Sequence, residues 1–522
     1  MSLIVKIVGL LLALQIFAAP IAAFSQYFQR LYDVDSSQEW GTNIFIKPDS
    51  TYFIFGTQIN TTTTDKWKLF NLTISSDGST ILGKKILKYD SLDLFMGLPG
   101  EMKKLRNGYL CPMSVQWSFG TYWRGWAGFL KYNSVGDTVL LKTFTDTSIY
   151  FDVMACCAML PDSTYIFGGL HDLNTPSSYP GYLIHTDSIG DTIWTHSYKK
   201  YSGQSAIINN IIPLLDGRIV VGAMTTFQEY ISGFGNIDHN SPWLMLLNNM
   251  GVILKDTVYG SKYMIGRKGA CGELYADVNG GYIVIGNFDS LVTSDPSDPQ
   301  NFPAYIAHLD TDFRITWITE LSYVSDEGHR QGVLVRQLHD STYLMVGDSW
   351  DTTSYDKGFA AKIGRTGDII WSHSYVSQPL QNAYLRDAIE KPDGSIVLTG
   401  TTFNDTLPSW HQHRDMWLID IDSNGCEVAN CNISAVPPNP IKTELNFSIF
   451  PNPTSGNLSV RASKSGKLIV YNLLGQKIAE YTIRGTTMDL QLPSWMSAGL
   501  YLGRFNSDDG FESEEIRIVY QP

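Results

Sequence analysis

The chain has 522 residues, of which 43% are hydrophobic and only 17% charged, with Lys plus Arg at 38 against Asp plus Glu at 51. A net charge of −13 argues against nucleic acid and anionic membrane surfaces as partners, because both attract a cationic face. Forty-five glycines and 12% aromatics predict many tight turns between short, well-packed strands, in an all-β chain long enough for more than one domain.

Met1 to Ser25 carries one basic residue, Lys6, then an apolar run from Ile7 to Ala19 and small residues at Ala22, Ala23 and Ser25. The pattern predicts a secretory signal peptide over residues 1–25, cut after Ser25 to leave Gln26 first or, alternatively, after Ala23. The run is short for a span and no later segment is apolar enough to stop transfer, so no transmembrane anchor is expected. Export permits disulfides, yet six cysteines in this length are no disulfide scaffold. There is no CxxC, and Cys156-Cys157 has no histidine at ligand spacing, so no zinc is expected. Cys426 and Cys431 are expected to close a small disulfide loop.

From residue 26 to 431 the chain repeats. Asp or Asn followed by Ser or Gly opens a β-rich run at Asp49, Asn107, Asp162, Asp216, Asn279, Asp340 and Asp393. A second turn follows at Gly78, Gly136, Gly190, Gly251, Phe313, Gly367 and Gly425. Eight residues before it stand Phe70, Gly128, Tyr182, Trp243, Tyr305, Phe359 and Trp417, predicted to pack between repeats. The period is about 58 residues, and two hairpins per unit predict a four-stranded sheet each. Seven such units predict a seven-bladed β-propeller, and the repeats loosely resemble secreted bacterial β-propellers. YFQRLYDV, Tyr27 to Val34, reads like a unit's final strand yet precedes the first unit, so it is expected to extend the outer edge of the last blade beside a short strand, CEVANC.

NISAVPPNPIKTEL lacks the repeat's markers and reads as a Pro-rich linker over 432–444. From Leu445 the alternation NFSIFPNPTSGNLSV, KLIVYNLLGQKIAEY, MDLQLPSWMSAGLYLGRF and EEIRIVY predicts a small Ig-like β-sandwich over 445–522. PNPTSG, YNLLGQK, SAGLYLGRF and the terminal EEIRIVY resemble the type A sorting domain of the type IX secretion system. The resemblance implies an address, read by the type IX secretion machinery and commonly removed by its sortase-like protease, with a destination outside the cell or on the outer-membrane surface. It further implies that Pro451, Asn452 and Pro453 form the opening turn, Gly456 and Gly475 tight turns, and Gly499 and Tyr501 the last motif.

No GxSxG, HExxH, Walker or EF-hand pattern occurs, so neither catalytic residues nor a cofactor are assigned. His411 and His413 could ligate a metal, but without a third ligand in view they read as solvated loop histidines. The connections opposite the tight turns are long and aromatic, as in SVQWSFGTYWR, TTFQEYISGFGNIDHNSP, GDSWDTTSYDK and TTFNDTLPSWHQHR. Trp117, Trp123, Trp350 and Trp410, with His411 and His413, are therefore the ligand-binding candidates, since indoles stack on sugar faces or anchor protein partners. The sequence favours a non-enzymatic glycan- or protein-binding module over a polysaccharide-active hydrolase or lyase using funnel carboxylates.

Overall fold

The computed structural model describes residues 27–33, 37–59, 66–88, 92–119, 122–144, 151–172, 179–201, 204–231, 235–259, 273–287, 304–321, 329–350, 356–377, 381–403, 414–427, 447–462, 465–472, 476–484, 487–507 and 513–521. All regular structure among them is β-strand. The chain divides into two compact units, Met1–Ser434 and Ala435–Pro522. The expected signal peptide and Pro-rich linker, and with them Cys271, Cys431, Gly475, Trp410, His411 and His413, lie outside the described residues.

In the first unit the sheets follow chain order. Gln38–Ile46, Tyr52–Ile59, Lys68–Ile74 and Ile81–Leu87 form a four-stranded antiparallel meander. The pattern recurs from Ala206–Pro213 to Ile253–Val258, from Leu274–Ala276 to Ile315–Leu321, and from His329–Gln337 to Ile369–Tyr375. Two further repeats share one nine-stranded sheet, joined by a single parallel pairing of Phe151 with Gly125. The leading strand of the earlier one is split into Asp93–Met96 and Lys103–Leu105, both paired to Gly108–Phe119. Pro112 sits opposite the gap, where it has no N–H to offer a ladder, and its carbonyl takes the Gly97 amide instead.

The final sheet is completed from the other end of the chain. Asn382–Glu390, Ile396–Phe403 and Arg414–Ile421 are joined by Gln29–Tyr32, with Leu31 opposite Trp417. The N-terminal strand thus occupies the outer edge, as expected, whereas Cys426 in CEVANC lies in a turn, not in a strand. One apolar cluster joins Val397, Met416 and Leu418 of this last sheet to Ile44, Ile54 and Phe70 of the first. The order of sheets closes on itself.

The repeat's markers have physical causes. The final glycine of the second strand faces the aromatic of the third across the ladder: Gly56 opposite Phe70, Gly286 opposite Tyr305, Gly347 opposite Phe359, Gly400 opposite Trp417. A Cβ on Gly56 would stand 2.6 Å from the Phe70 ring. Two repeats depart from this pairing: where the third strand carries Gly128 its partner is Met113, and Trp243 faces Ala223 instead of a glycine. The large rings are buried between sheets; Trp243 packs with Leu183 and Tyr198 of the preceding sheet.

All seven second-turn residues have positive φ, from 64° at Phe313 to 88° at Gly190 and Gly367, which is why glycine dominates there. The left-handed turn exposes its carbonyl to the sheet before it, and that sheet supplies a donor. Tyr32 Oη donates to Gly78 O at 2.6 Å, Tyr198 Oη to Gly251 O at 2.7 Å, Tyr259 Oη to Phe313 O at 2.6 Å and Tyr375 Oη to Gly425 O at 2.9 Å. Asn71 Nδ2 does the same for Gly136 O and Thr319 Oγ1 for Gly367 O. The bond from Tyr32 runs from the last sheet to the first.

In the second unit Phe447–Phe450, Asn457–Ala462 and Thr487–Gln491 form one sheet. Lys477–Ile483, Gly466–Tyr471, Gly499–Ser507 and Ser513–Tyr520 form the other. Val460, Leu468, Val470, Ile483, Phe505 and Ile518 belong to one apolar core drawn from both sheets.

Tyr198→Phe removes one buried donor and is expected to cost ~1–2 kcal/mol in a denaturant melt. Gly251→Ala is expected to cost more, because its φ of +78° is unfavourable for alanine and the new Cβ would lie 2.5 Å from His196. Equal or negligible losses would remove the latch from the account.

Candidate functional site

The tryptophans expected on loops are placed differently. Trp117 and Trp123 lie in a ladder, opposite Arg124 and Ser118, because the aromatic alternation of this segment carries the hairpin on until Phe119 pairs with Tyr122. Ile219–Ile231 and Gly235–Leu247 likewise pair along 13 residues each, where a long loop was expected. Trp350 ends the strand Tyr343–Trp350, opposite His329 and Asp356.

A polar knot joins the leading strands, meaning the first strand of each repeat in chain order. Bulges at Gly41/Asn43, Ile208/Asn210 and Leu385/Asp387 re-aim a side chain toward the next leading strand. Asn43 Oδ1 accepts Met102 N at 3.1 Å, Asn210 Oδ1 accepts Leu274 N at 2.8 Å, and Asp387 Oδ2 accepts Ile44 N at 2.9 Å across the closing seam. Glu273 Oε2 accepts Val335 N at 2.5 Å. Arg336 Nη2 donates to Asp387 Oδ1 at 3.0 Å and across the cycle to Gly100 O at 3.1 Å. Glu101 takes Asn210 Nδ2 at 2.9 Å and pairs with Lys103 at 3.0 Å.

The three carboxylates are buried, while the Lys103 and Arg336 side chains remain 34% and 25% exposed. Burial pushes Glu273 up to about 8 against the pull of Arg336, and raises Asp387 against the same cation. The carboxylates that converge here are thus committed to backbone amides and cations.

At the strand ends opposite the tight turns a second constellation runs across the closing seam. Arg386 Nη1 meets both Asp348 oxygens at 2.8 Å, and its guanidinium lies 4.9 Å from the Tyr384 ring. Tyr384 stacks on Phe403 at 5.3 Å, and Arg414 lies between Phe403 and Trp40, 4.3 and 4.9 Å from their rings. Trp40 meets Trp67 at 4.6 Å, and Trp67 meets Phe95 at 5.3 Å. Tyr384, Arg414, Trp40, Trp67 and Phe95 are all partly exposed. Repeat register explains the series: Trp40 and Tyr384 each stand three residues before the re-aimed Asn43 or Asp387, and Trp67 and Arg414 three before the buried Phe70 or Trp417. Phe403 and Arg414 lie at opposite ends of TTFNDTLPSWHQHR, one of the connections expected on the binding face, whereas Trp40, Trp67 and Tyr384 carry no such expectation.

Tyr384 Oη also donates to Asp356, and burial raises Asp348 to about 6 against the opposing charge of Arg386. Glu39 and Asp415, the sequence neighbours of Trp40 and Arg414, bring ligand oxygens within 4.8 Å of one another and of Asp33, the one such grouping among the described residues, where the sequence predicted no metal site. Cys111, Cys156 and Cys157 are free and buried, and burial pushes all three thiols up, away from reactivity. Cys426 is disulfide-bonded.

In the second unit, Asn452 docks the opening turn on the final strand. Its Nδ2 donates to Arg517 O at 2.5 Å and its Oδ1 accepts Val519 N at 2.8 Å, continued by Thr454 N to Val519 O at 2.9 Å. Flanked by Pro451 and Pro453, which cannot donate, the asparagine side chain supplies the pairing that backbone would otherwise make. Gly456 has φ +125°, and Tyr501 Oη donates to Ser497 O. Gly499 pairs with Tyr520.

Residues 448–519 match the secretion system C-terminal sorting domain. No curated protein matches the chain. Among solved structures, PorZ of Porphyromonas gingivalis, an essential surface component of the type-IX secretion system, is 10% identical, with 95% of this chain and 70% of that one covered and a TM-score of 0.29. Virginiamycin B lyase of Staphylococcus aureus is 10% identical over 76% of this chain and 99% of its own, with a TM-score of 0.39. The α-L-arabinofuranosidase Arb93A of Fusarium graminearum is 10% identical over 76% and 97%, with a TM-score of 0.36. Likeness at this level says nothing of activity. The sorting domain does set the destination: the protein is secreted or carried to the outer-membrane surface. No helix among the described residues is long and apolar enough to cross a membrane.

Glu273 keeps its proton in the folded chain up to about pH 8, whereas the unfolded carboxyl releases it near 4.5, so its contribution to stability falls as pH rises through that window. Glu273→Gln retains an acceptor for Val335 and is expected to flatten the decline in melting temperature between pH 5 and 9; an unchanged slope would exclude the residue as its source. Asn452→Ala is expected to cost the second unit ~1–2 kcal/mol, read as faster proteolysis of that unit in the full chain.

Proposed function

We propose that the chain is an exported binding protein: a seven-bladed β-propeller over 26–431, made behind a signal peptide over 1–25, tethered through 432–444 to an Ig-like sorting sandwich over 445–522. In this reading the face opposite the tight turns binds a glycan or a surface protein. The observation that carries it is the commitment of Glu101, Glu273 and Asp387 to backbone amides, Asn210, Lys103 and Arg336. A hydrolase of the funnel type needs a carboxylate pair open to substrate, whereas the oxygens of these three are buried and occupied by groups of the chain itself.

A second reading, as a polysaccharide-active hydrolase or lyase, draws on Asp348, whose carboxyl is raised to about 6 beside Asp356 and Tyr384. Against it, both Asp348 oxygens are taken by Arg386. Trp117, Trp123, Trp350 and Trp410, with His411 and His413, remain candidates for the binding face, and Cys426 is proposed to pair with Cys431. The sorting sandwich is proposed to be cut from the cargo within 432–446, the segment that follows the last repeat.

The deciding experiment incubates the purified chain with a polysaccharide panel and with outer-surface protein extracts, measuring retention and new reducing ends together. Retention without product is expected; saccharide cleavage that disappears in Asp348→Asn would replace binding by hydrolysis.

A further inference from the structure

We propose that the ligand is a neutral polysaccharide chain, laid along the aromatic–arginine track across the seam between the last and first sheets. The inference rests on the binding reading and names the ligand class and its path. The track runs Tyr384, Phe403, Arg414, Trp40, Trp67, Phe95, each ring or guanidinium within 5.3 Å of the next. Five of the six are partly exposed, so the series ends at solvent instead of closing into a core.

Its chemistry alternates in a way that suits sugars. The partly exposed rings of Tyr384, Trp40, Trp67 and Phe95 offer apolar surface to the C–H face of a pyranose, while Arg414 within the series and the Arg386–Asp348 and Lys66–Asp93 pairs beside it supply donors and acceptors for the hydroxyl edge. Beside the path Arg386 is paired with Asp348 at 2.8 Å and Lys66 with Asp93 at 3.4 Å, and the clustered carboxylates of Asp33, Glu39 and Asp415, the last two adjoining Trp40 and Arg414 in sequence, disfavour an acidic chain. A paired charge holds its hydrogen-bonding atoms in place without attracting a counter-ion, which favours a neutral chain over a uronic or sulfated one. The site is also extended over three sheets. A protein partner would more characteristically be gripped by a compact anchor pocket.

Because Tyr384, Phe403 and Arg414 belong to the last sheet, Trp40 to the first, and Trp67 immediately precedes the first sheet's third strand, an occupant touching both groups bridges the junction at which the order of sheets closes. Binding is therefore coupled to closure: ligand stabilises the folded first unit by mass action.

The test uses the full mature chain with laminarin and galactomannan as neutral probes and alginate as the acidic one, following retention by affinity electrophoresis and melting temperature by scanning fluorimetry. Binding of at least one neutral probe is expected, with a rise in melting temperature. Trp67→Ala is expected to weaken retention at least tenfold and to abolish the thermal shift, whereas Trp495→Ala in the second unit leaves both unchanged. Should Trp67→Ala fold poorly, Phe95→Ala and Lys66→Ala at the exposed end of the track are expected to weaken retention severalfold with melting unchanged. Retention of alginate alone would overturn the neutral assignment. Neutral binding untouched by these track variants would overturn the site and leave the binding reading standing, as would capture of a protein partner by a chain that retains no saccharide. Failure to bind saccharide or protein would end both.

Discussion

The first unit depends on one recurring hydrogen bond: the carbonyl of a left-handed turn residue, presented sideways to the preceding sheet and taken by a tyrosine hydroxyl or its equivalent. The positive φ at Gly78, Gly251 and Gly425 turns the carbonyl outward, and Tyr32, Tyr198 and Tyr375 reach it at 2.6 to 2.9 Å. Each bond is worth only ~1 kcal/mol net. Its importance is geometric, since it fixes how far and at what angle each sheet follows the last. The same device, applied by Tyr32, joins the chain's N-terminal strand to the first meander and so ties the last sheet to the first. Without a closed order of sheets, the knot of leading strands and the seam-crossing track would have no fixed geometry.

Two belts divide the labour. At the outer strands the glycine latches set spacing. At the leading strands Asn43, Asn210, Glu273 and Asp387 each accept an amide of the next leading strand, and Arg336 reaches across to Gly100. Burying three carboxylates is costly unless each is paired and hydrogen-bonded. Here that requirement is met by Lys103 and Arg336, whose side chains stay partly in solvent.

Much of this was legible in the sequence, and for identifiable reasons. Glycine recurs where φ must be positive, and the aromatic eight residues earlier recurs where a ring fills the space left by a cross-strand glycine such as Gly56. The N-terminal strand was legible because Tyr27 to Val34 repeats the grammar of a final strand. The split strand opposite Pro112 was not, because the proline was read as part of an ordinary run. Nor were the bulges, since a polar residue in a strand reads as solvent-facing until its register shift is known. Trp117 and Trp123 read as loop residues because they lie beyond the repeat's own markers, although the aromatic alternation there extends the hairpin to Phe119 and Tyr122. Arg414 fell within TTFNDTLPSWHQHR, a connection expected on the binding face, but Trp40 and Trp67 were not legible as its partners, because residues at or just before the start of a strand look like scaffold until the seam between last and first sheets brings them together.

The second unit is a separate object with a separate task. Its opening turn is held by Asn452 against the final strand, so the motif that identifies it is also what closes its fold. An address of this kind has to be readable while the cargo is folded, which a compact unit of its own permits. The most direct measurement of the account is cell fractionation of the chain with Leu445 to Pro522 deleted, beside the full chain. The account predicts full-length protein at the surface or in the medium and the truncated protein folded but retained inside the outer membrane; truncated protein recovered at the surface would contradict it.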